Sequence, residues 1–161
     1  MITQSRLCEL FFYKQGKLLR KVGVKGSPMF TEIGTLKPKG YRVAVVDGKS
    51  YRLHHLIWIY HHGKKVPELD HINRDRDDNR IENLRPCTHT QNLGNMKARV
   101  HKYKGVTFDK FNNKWRAQIT VDYSNISLGR YPTIEEAALA YNKAATEHFG
   151  KFALLNEVRH A

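Results

Sequence analysis

The chain has 161 residues, of which 28 are Lys or Arg and 15 are Asp or Glu, for a formal net charge of +13. A hydrophobic content of 40% allows one ordinary core or two small ones, and 27% charged residues argue against a fully disordered chain. A charge excess this large in a small chain selects a polyanionic partner, with affinity that falls as salt rises.

Two cysteines, Cys8 and Cys87, are too few for a disulfide framework or a thiolate zinc site and read as free thiols of a reducing cytoplasm. No apolar run is long enough to span a bilayer, and the start of the chain lacks an apolar signal region. The expected setting is cytoplasmic, without a membrane partner.

In chain order, residues 9 to 13 and 18 to 22 flank KQG and read as a first hairpin. Residues 41 to 46 and 50 to 53 read as a second, turned by Asp47-Gly48. Residues 54 to 62 form an expected short helix with Leu56, Ile59 and Tyr60 on its buried side and Gly63 as its stop. A short strand ending at Asp70-His71 then leads through a polar loop to a second strand near residues 84 to 86 and a helix from Thr88. The basic run KARVHKYK, residues 97 to 104, reads as a linker between domains of residues 1–96 and 105–161. Beyond it, residues 105 to 109, 114 to 121 and 125 to 130 read as three strands. A closing helix has Thr133 as N-cap with Glu136 three residues on, a capping-box pattern. Its stripe of Ala137, Ala138, Tyr141, Ala144, Ala145 and Phe149 is suited to packing on a sheet, and Gly150 stops it. The fold class is α+β.

Chemistry concentrates in Asp70, His71, Asn83 and Asn92. A neutral imidazole beside oxygen ligands can activate water next to a hard cation. On so basic a chain the matching substrate is a phosphodiester. Taken singly, an Asp-His pair or an Asn in ENL or QN is a turn or cap residue as readily as a functional one.

The segments YRLHHLIW, LDHINRDRDDNRIENLR and THTQN together resemble the HNH nucleases of the phage and intron-associated, homing-like branch, whose core is a ββα-metal module. The resemblance implies that Asp70 and Asn92 bind one divalent cation, Mg²⁺ or Mn²⁺. It implies that His71 is the general base, and that Asn83 fixes the loop and orients His71. His54 stands at the motif histidine position before the helix, packed or hydrogen-bonded beneath the site. His55 stands where relatives often carry Arg. His89 is either near a substrate phosphate or a solvated first-turn residue. Asn73, Asp77, Asp78 and Asn79 read as loop-forming residues.

Downstream, YKGV, KWRAQI, LGRY, TIEEAALAYNKAA and FGKFALLN resemble the plant APETALA/ethylene-responsive-factor DNA-binding domain. That resemblance implies a three-stranded antiparallel sheet with one helix on one face and the other face in the major groove. Strand alternation assigns Val106, Phe108, Trp115, Ala117, Ile119, Ile126 and Leu128 to the helix side. It assigns Lys104, Thr107, Lys114, Arg116, Gln118, Thr120, Asn125 and Ser127 to the outer side, as candidate DNA contacts. Relatives often carry Arg where Thr107 and Thr120 stand, and an aromatic where Ser127 stands, so the plant recognition sequence is not carried over.

The reading is a metal-dependent endonuclease of double-stranded DNA, monomer or homodimer, leaving 5′-phosphate and 3′-hydroxyl ends. Its rivals are a non-catalytic DNA-binding regulator on a degenerate nuclease scaffold and, more distantly, an RNA-processing nuclease.

Overall fold

Asp47 and Gly48 carry φ of 48° and 75°, the left-handed pair that turns a two-residue hairpin, and they join two antiparallel strands of the N-terminal half. The computed structural model describes residues 2–26, 28–98 and 102–158. By packing, it divides into two compact units, Met1–Cys87 and Thr88–Ala161.

The first unit opens with α1 (Gln4–Leu10), capped by the Thr3 side chain, which accepts from the Arg6 N–H. Here the structure differs from the expected strand at residues 9 to 13. Glu9 and Leu10 are helical because the Thr3 cap starts a helix that buries Leu7 completely. The hairpin is the shorter β1 (Phe11–Lys14) and β2 (Lys17–Arg20). A three-stranded antiparallel sheet follows in the order β3 (Thr35–Leu36), β4 (Arg42–Val46) and β5 (Lys49–Arg52). Helix α2 (Leu53–His62) ends at Gly63 in the left-handed conformation. It buries Leu53, Leu56, Ile57, Trp58 and Ile59, which join Leu7, Phe11, Leu18, Ala44, Val46, Leu69 and Leu84 in one core. That core fixes the last pair of strands, β6 (Glu68–His71) and β7 (Leu84–Cys87), through Leu69 and Leu84.

The second unit begins with α3 (His89–Gly94), started by a complete capping box between Thr88 and Gln91. Strands β8 (Val106–Asp109), β9 (Lys114–Val121) and β10 (Ser124–Tyr131) form an antiparallel sheet with β9 in the middle. Helix α4 (Ile134–Phe149) lies on it with the expected stripe buried. Thr133 caps the helix by accepting from the Glu136 N–H. Its alanines let the helix lie close over Val106 and Ala117.

Helix α3 packs within this second unit. A Cβ on Gly94 would stand 2.7 Å from Cγ of Phe149, so only glycine allows this approach. Leu154 N–H donates to the Gly94 carbonyl, and Thr90 donates to Asp122 at the β9–β10 turn. Division by packing therefore falls before α3, whereas the linker was expected at residues 97 to 104; residues 99–101 of that stretch lie outside the described residues. Both cysteines are free thiols. Among the described residues no helix is long and apolar enough to cross a membrane.

Candidate functional site

Antiparallel pairing of β6 with β7 places Asp70 opposite Arg85 and His71 opposite Leu84. Asp70 is 5% exposed and His71 4%, so both polar side chains are inside the fold. Arg85 Nε and Nη2 donate to Asp70 Oδ2 at 2.8 and 2.7 Å. Such pairing offsets part of the cost of burying a carboxylate.

The polar loop between these strands is held by its own amides. Asn83, in a 3-10 turn at Ile81–Asn83, accepts from the Asn73 N–H and donates from Nδ2 to Asn73 Oδ1 and the Asp78 carbonyl. Asn83 thus ties both ends of the loop, and an amide that meets His71 belongs to a different residue. Asn79 is 2% exposed, and its Oδ1 lies 3.1 Å from His71 Nε2. Its Nδ2 donates to the Asp77 carbonyl, which fixes the amide with its oxygen toward the imidazole. An amide oxygen can only accept, so His71 Nε2 carries the proton and Nδ1 carries the lone pair. Sequence reading treated Asn79 as a loop former. Its position four residues before Asn83 gave no sign that the loop folds it back onto His71.

Burial lowers the pKa of His71, opposed by the Asn79 hydrogen bond and by Asp70, Asp75 and Asp78. The imidazole is accordingly neutral at pH 7. His54 is packed beneath it, with ring centroids 5.0 Å apart and edge to face. Burial, followed by His55, His71 and Arg52, holds His54 down to about 2, and its Nδ1 has no hydrogen-bond partner. His55 is held down to about 4 by burial and then by Arg52. Neither behaves as a charged phosphate ligand.

The donor chemistry fits a hard divalent cation. Asp70 offers carboxylate oxygen, and such ions complete their shells with water and phosphate oxygens. Among the described residues no group of three or more His, Cys, Asp or Glu side chains that could hold a metal ion is present. Asn92 is half-buried on α3 and is described with the second unit. His89, also on α3, is exposed and stacked on Tyr123 at 5.6 Å.

In the second unit, strand register arranges the outer polar face in rows. Thr120 pairs with Asn125, Gln118 with Ser127, and Arg116 with both Thr107 and Arg130. Lys114 and Arg116 are exposed, while Gln118 is half-buried. Thr120 donates to Asn125 Oδ1. The Thr107 hydroxyl is buried and without a hydrogen-bond partner.

Lys104 departs from its expected outward position. Its Nζ donates to the carbonyls of Leu93 and Gly94 at 2.9 and 2.6 Å, capping the C-terminal end of α3. Burial lowers its pKa to about 8. Phe108 and Ile126, expected under the helix, are 43% and 38% exposed because they stand near opposite ends of the sheet, outside the cluster beneath α4. Arg130 was not anticipated on this face. A bulge between Ser127 and Gly129 shifts the register by one and brings Arg130 beside Arg116. Gly129, at φ 118°, was the available signal.

Comparison with known families matches residues 51–93 to the HNH endonuclease model and residues 101–150 to the AP2 domain model. The chain joins an HNH endonuclease region to an AP2 domain. An uncharacterized HNH endonuclease of Acanthamoeba polyphaga mimivirus is 34% identical over 126 residues, 76% of this chain and 66% of that protein. An AP2-like ethylene-responsive transcription factor of Arabidopsis thaliana is 44% identical over 59 residues, 35% of this chain and 17% of the factor. A second ethylene-responsive transcription factor of that plant is 36% identical over 91 residues, 55% of this chain and 20% of the factor. The chain therefore spans about two thirds of the viral protein and a fifth or less of the plant ones. The HNH match runs through α3, so this short helix belongs to the nuclease family by sequence and to the second unit by packing.

Proposed function

We propose that the chain is a divalent-metal-dependent endonuclease of duplex DNA, with the AP2 domain supplying affinity and sequence preference. The observation that carries the chemistry is the His71–Asn79 hydrogen bond, because it leaves a neutral imidazole with its lone pair on a defined nitrogen. Water attacking the scissile phosphorus gives its proton to His71 Nδ1. The bond from phosphorus to the 3′ oxygen breaks, and that oxygen leaves with a proton from solvent, giving 5′-phosphate and 3′-hydroxyl ends. Asn79 holds the ring in its tautomer and orientation, and Asn83 holds the loop that carries Asn79.

Asp70, paired with Arg85, is the first-choice ligand for Mg²⁺ or Mn²⁺. Asn92 as second ligand rests on the THTQN pattern alone. When bound, the cation would neutralise charge growing on the phosphate and the departing oxygen. One base per chain makes nicking the default for a monomer, and a homodimer on a palindrome could cut both strands.

For the AP2 domain, Arg116, Lys114 and Arg130 suit backbone phosphates, while Gln118, Thr120, Asn125 and Ser127 suit base edges. Supercoiled plasmid incubated with Mg²⁺ or Mn²⁺ tests the reading. The expected result is a nicked circle whose new ends accept ligase directly. Specific DNA binding with no cutting in either metal would instead make the chain a regulator on a nuclease scaffold.

A further inference from the structure

Arg52 and Arg76 both lie over one aromatic ring. Their guanidinium carbons stand 4.9 and 4.8 Å from the centroid of Tyr41. The ring of Tyr41 is in turn 6.0 Å from that of His71. Two exposed cations sharing a ring repel each other, which costs free energy unless an anion joins them. None of the loop's own carboxylates does so. Asp77 is forked by Arg42, Asp78 is bound by Arg80, and Asp75 Oδ1 accepts the Asp77 N–H.

Arg76 is fixed in place because Nη1 donates to the Lys39 carbonyl at 2.9 Å. Arg52 makes no side-chain hydrogen bond or ion pair among the described residues, so its whole donor edge is open. Stacking uses the face of a guanidinium and leaves that edge for a bidentate acceptor.

We propose that Arg52 and Arg76, seated on Tyr41, form a second phosphodiester-binding subsite that grips the phosphate next to the scissile one. A strand carries a phosphate about every 3.4 Å of helix axis, so a neighbour is within reach once one phosphate faces His71. The two arginines are positioning residues. They place the strand and touch no reacting atom. This inference rests on the endonuclease reading for its second phosphate, but its binding step needs no metal.

The test uses the full chain carrying Arg52→Gln, Arg76→Gln or the charge-keeping Arg52→Lys. Binding to a labelled duplex is measured in EDTA over a salt series, beside thermal melting. Each glutamine variant should lower the slope of log affinity against log salt by about one, with Arg52→Lys at the wild-type slope. In nicking assays the glutamine variants should raise KM about tenfold and hold kcat within about twofold. Should Arg52→Gln melt early, Arg76→Gln carries the comparison alone. Wild-type slopes in the folded glutamine variants overturn the subsite. A wild-type protein that binds with the expected slope difference but never nicks overturns the endonuclease reading and leaves the anion grip standing.

Discussion

In the first unit the polar side chains of interest are inside: His54, Asp70, His71, Asn79 and Asn83 are each 6% exposed or less. In the second unit they are outside, with Lys114, Arg116, Thr120, Asn125 and Arg130 exposed on one face of the sheet. Burial makes the first set directional. A buried donor or acceptor left without a partner costs free energy, and the bond from Asn79 determines which nitrogen of His71 holds a proton. Exposure leaves the second set hydrated and adaptable, as suits groups that exchange water for phosphates and base edges. The proposed chemistry and the proposed recognition are thus separated by solvent access as well as by sequence.

The contrast can be broken most sharply at His71. His71→Ala should slow cutting by about 10²–10⁴-fold, the usual worth of a general base, while duplex affinity in EDTA stays within about twofold. Paired single-turnover and anisotropy measurements check this, and equal losses in both would merge the two roles. A smaller effect is expected from Asn79→Ala, a loss of about 10–100-fold in rate as for other orienting partners, again with affinity intact.

Acid should weaken the first unit by way of its histidines. His54 and His55 protonate near 6.5 in the unfolded chain but are held to about 2 and about 4 in the folded one. Their contribution is therefore complete above about pH 6.5 and is lost as pH falls, down to about 4 for His55 and about 2 for His54. The steepest loss is about 1.4 kcal/mol per pH unit for each group. Urea unfolding at pH 7.5 and 5 should show this, and His54→Phe should flatten it. A wild-type midpoint unchanged between those pH values would contradict the buried, neutral assignment.

The smallest expected effect lies on the sheet. Arg116→Ala should reduce the salt slope of DNA binding by about one, whereas Lys104→Ala should leave it unchanged because that ammonium is spent on α3 carbonyls. A lowered slope for Lys104→Ala would return it to the DNA face.

What could be read from the sequence was local. Asp47-Gly48, Gly63, Thr88 and Thr133 act within a few residues of themselves, and each turn, stop or cap lies where they indicate. The α4 stripe was legible for the same reason, since helical period is a property of the segment alone. Three features depend on chain reversal and were hidden. The loop folds Asn79 back onto His71, the approach to β8 turns Lys104 inward at Gly105 (φ 73°), and the bulge turns Arg130 outward. Helix α1 was hidden differently: ELFFY is rich in aromatic residues that favour a strand, and the Thr3 cap with a fully buried Leu7 decides for helix over its first two residues.

The central claim is that Asn79 works through His71 to set a base on Nδ1. It is tested most directly by single-turnover nicking with His71→Ala, Asn79→Ala and the double variant. If Asn79 acts only by orienting His71, the double variant cuts no more slowly than His71→Ala alone. A further loss in the double variant, equal to the product of the two single losses, would mean that Asn79 acts independently and would contradict the account.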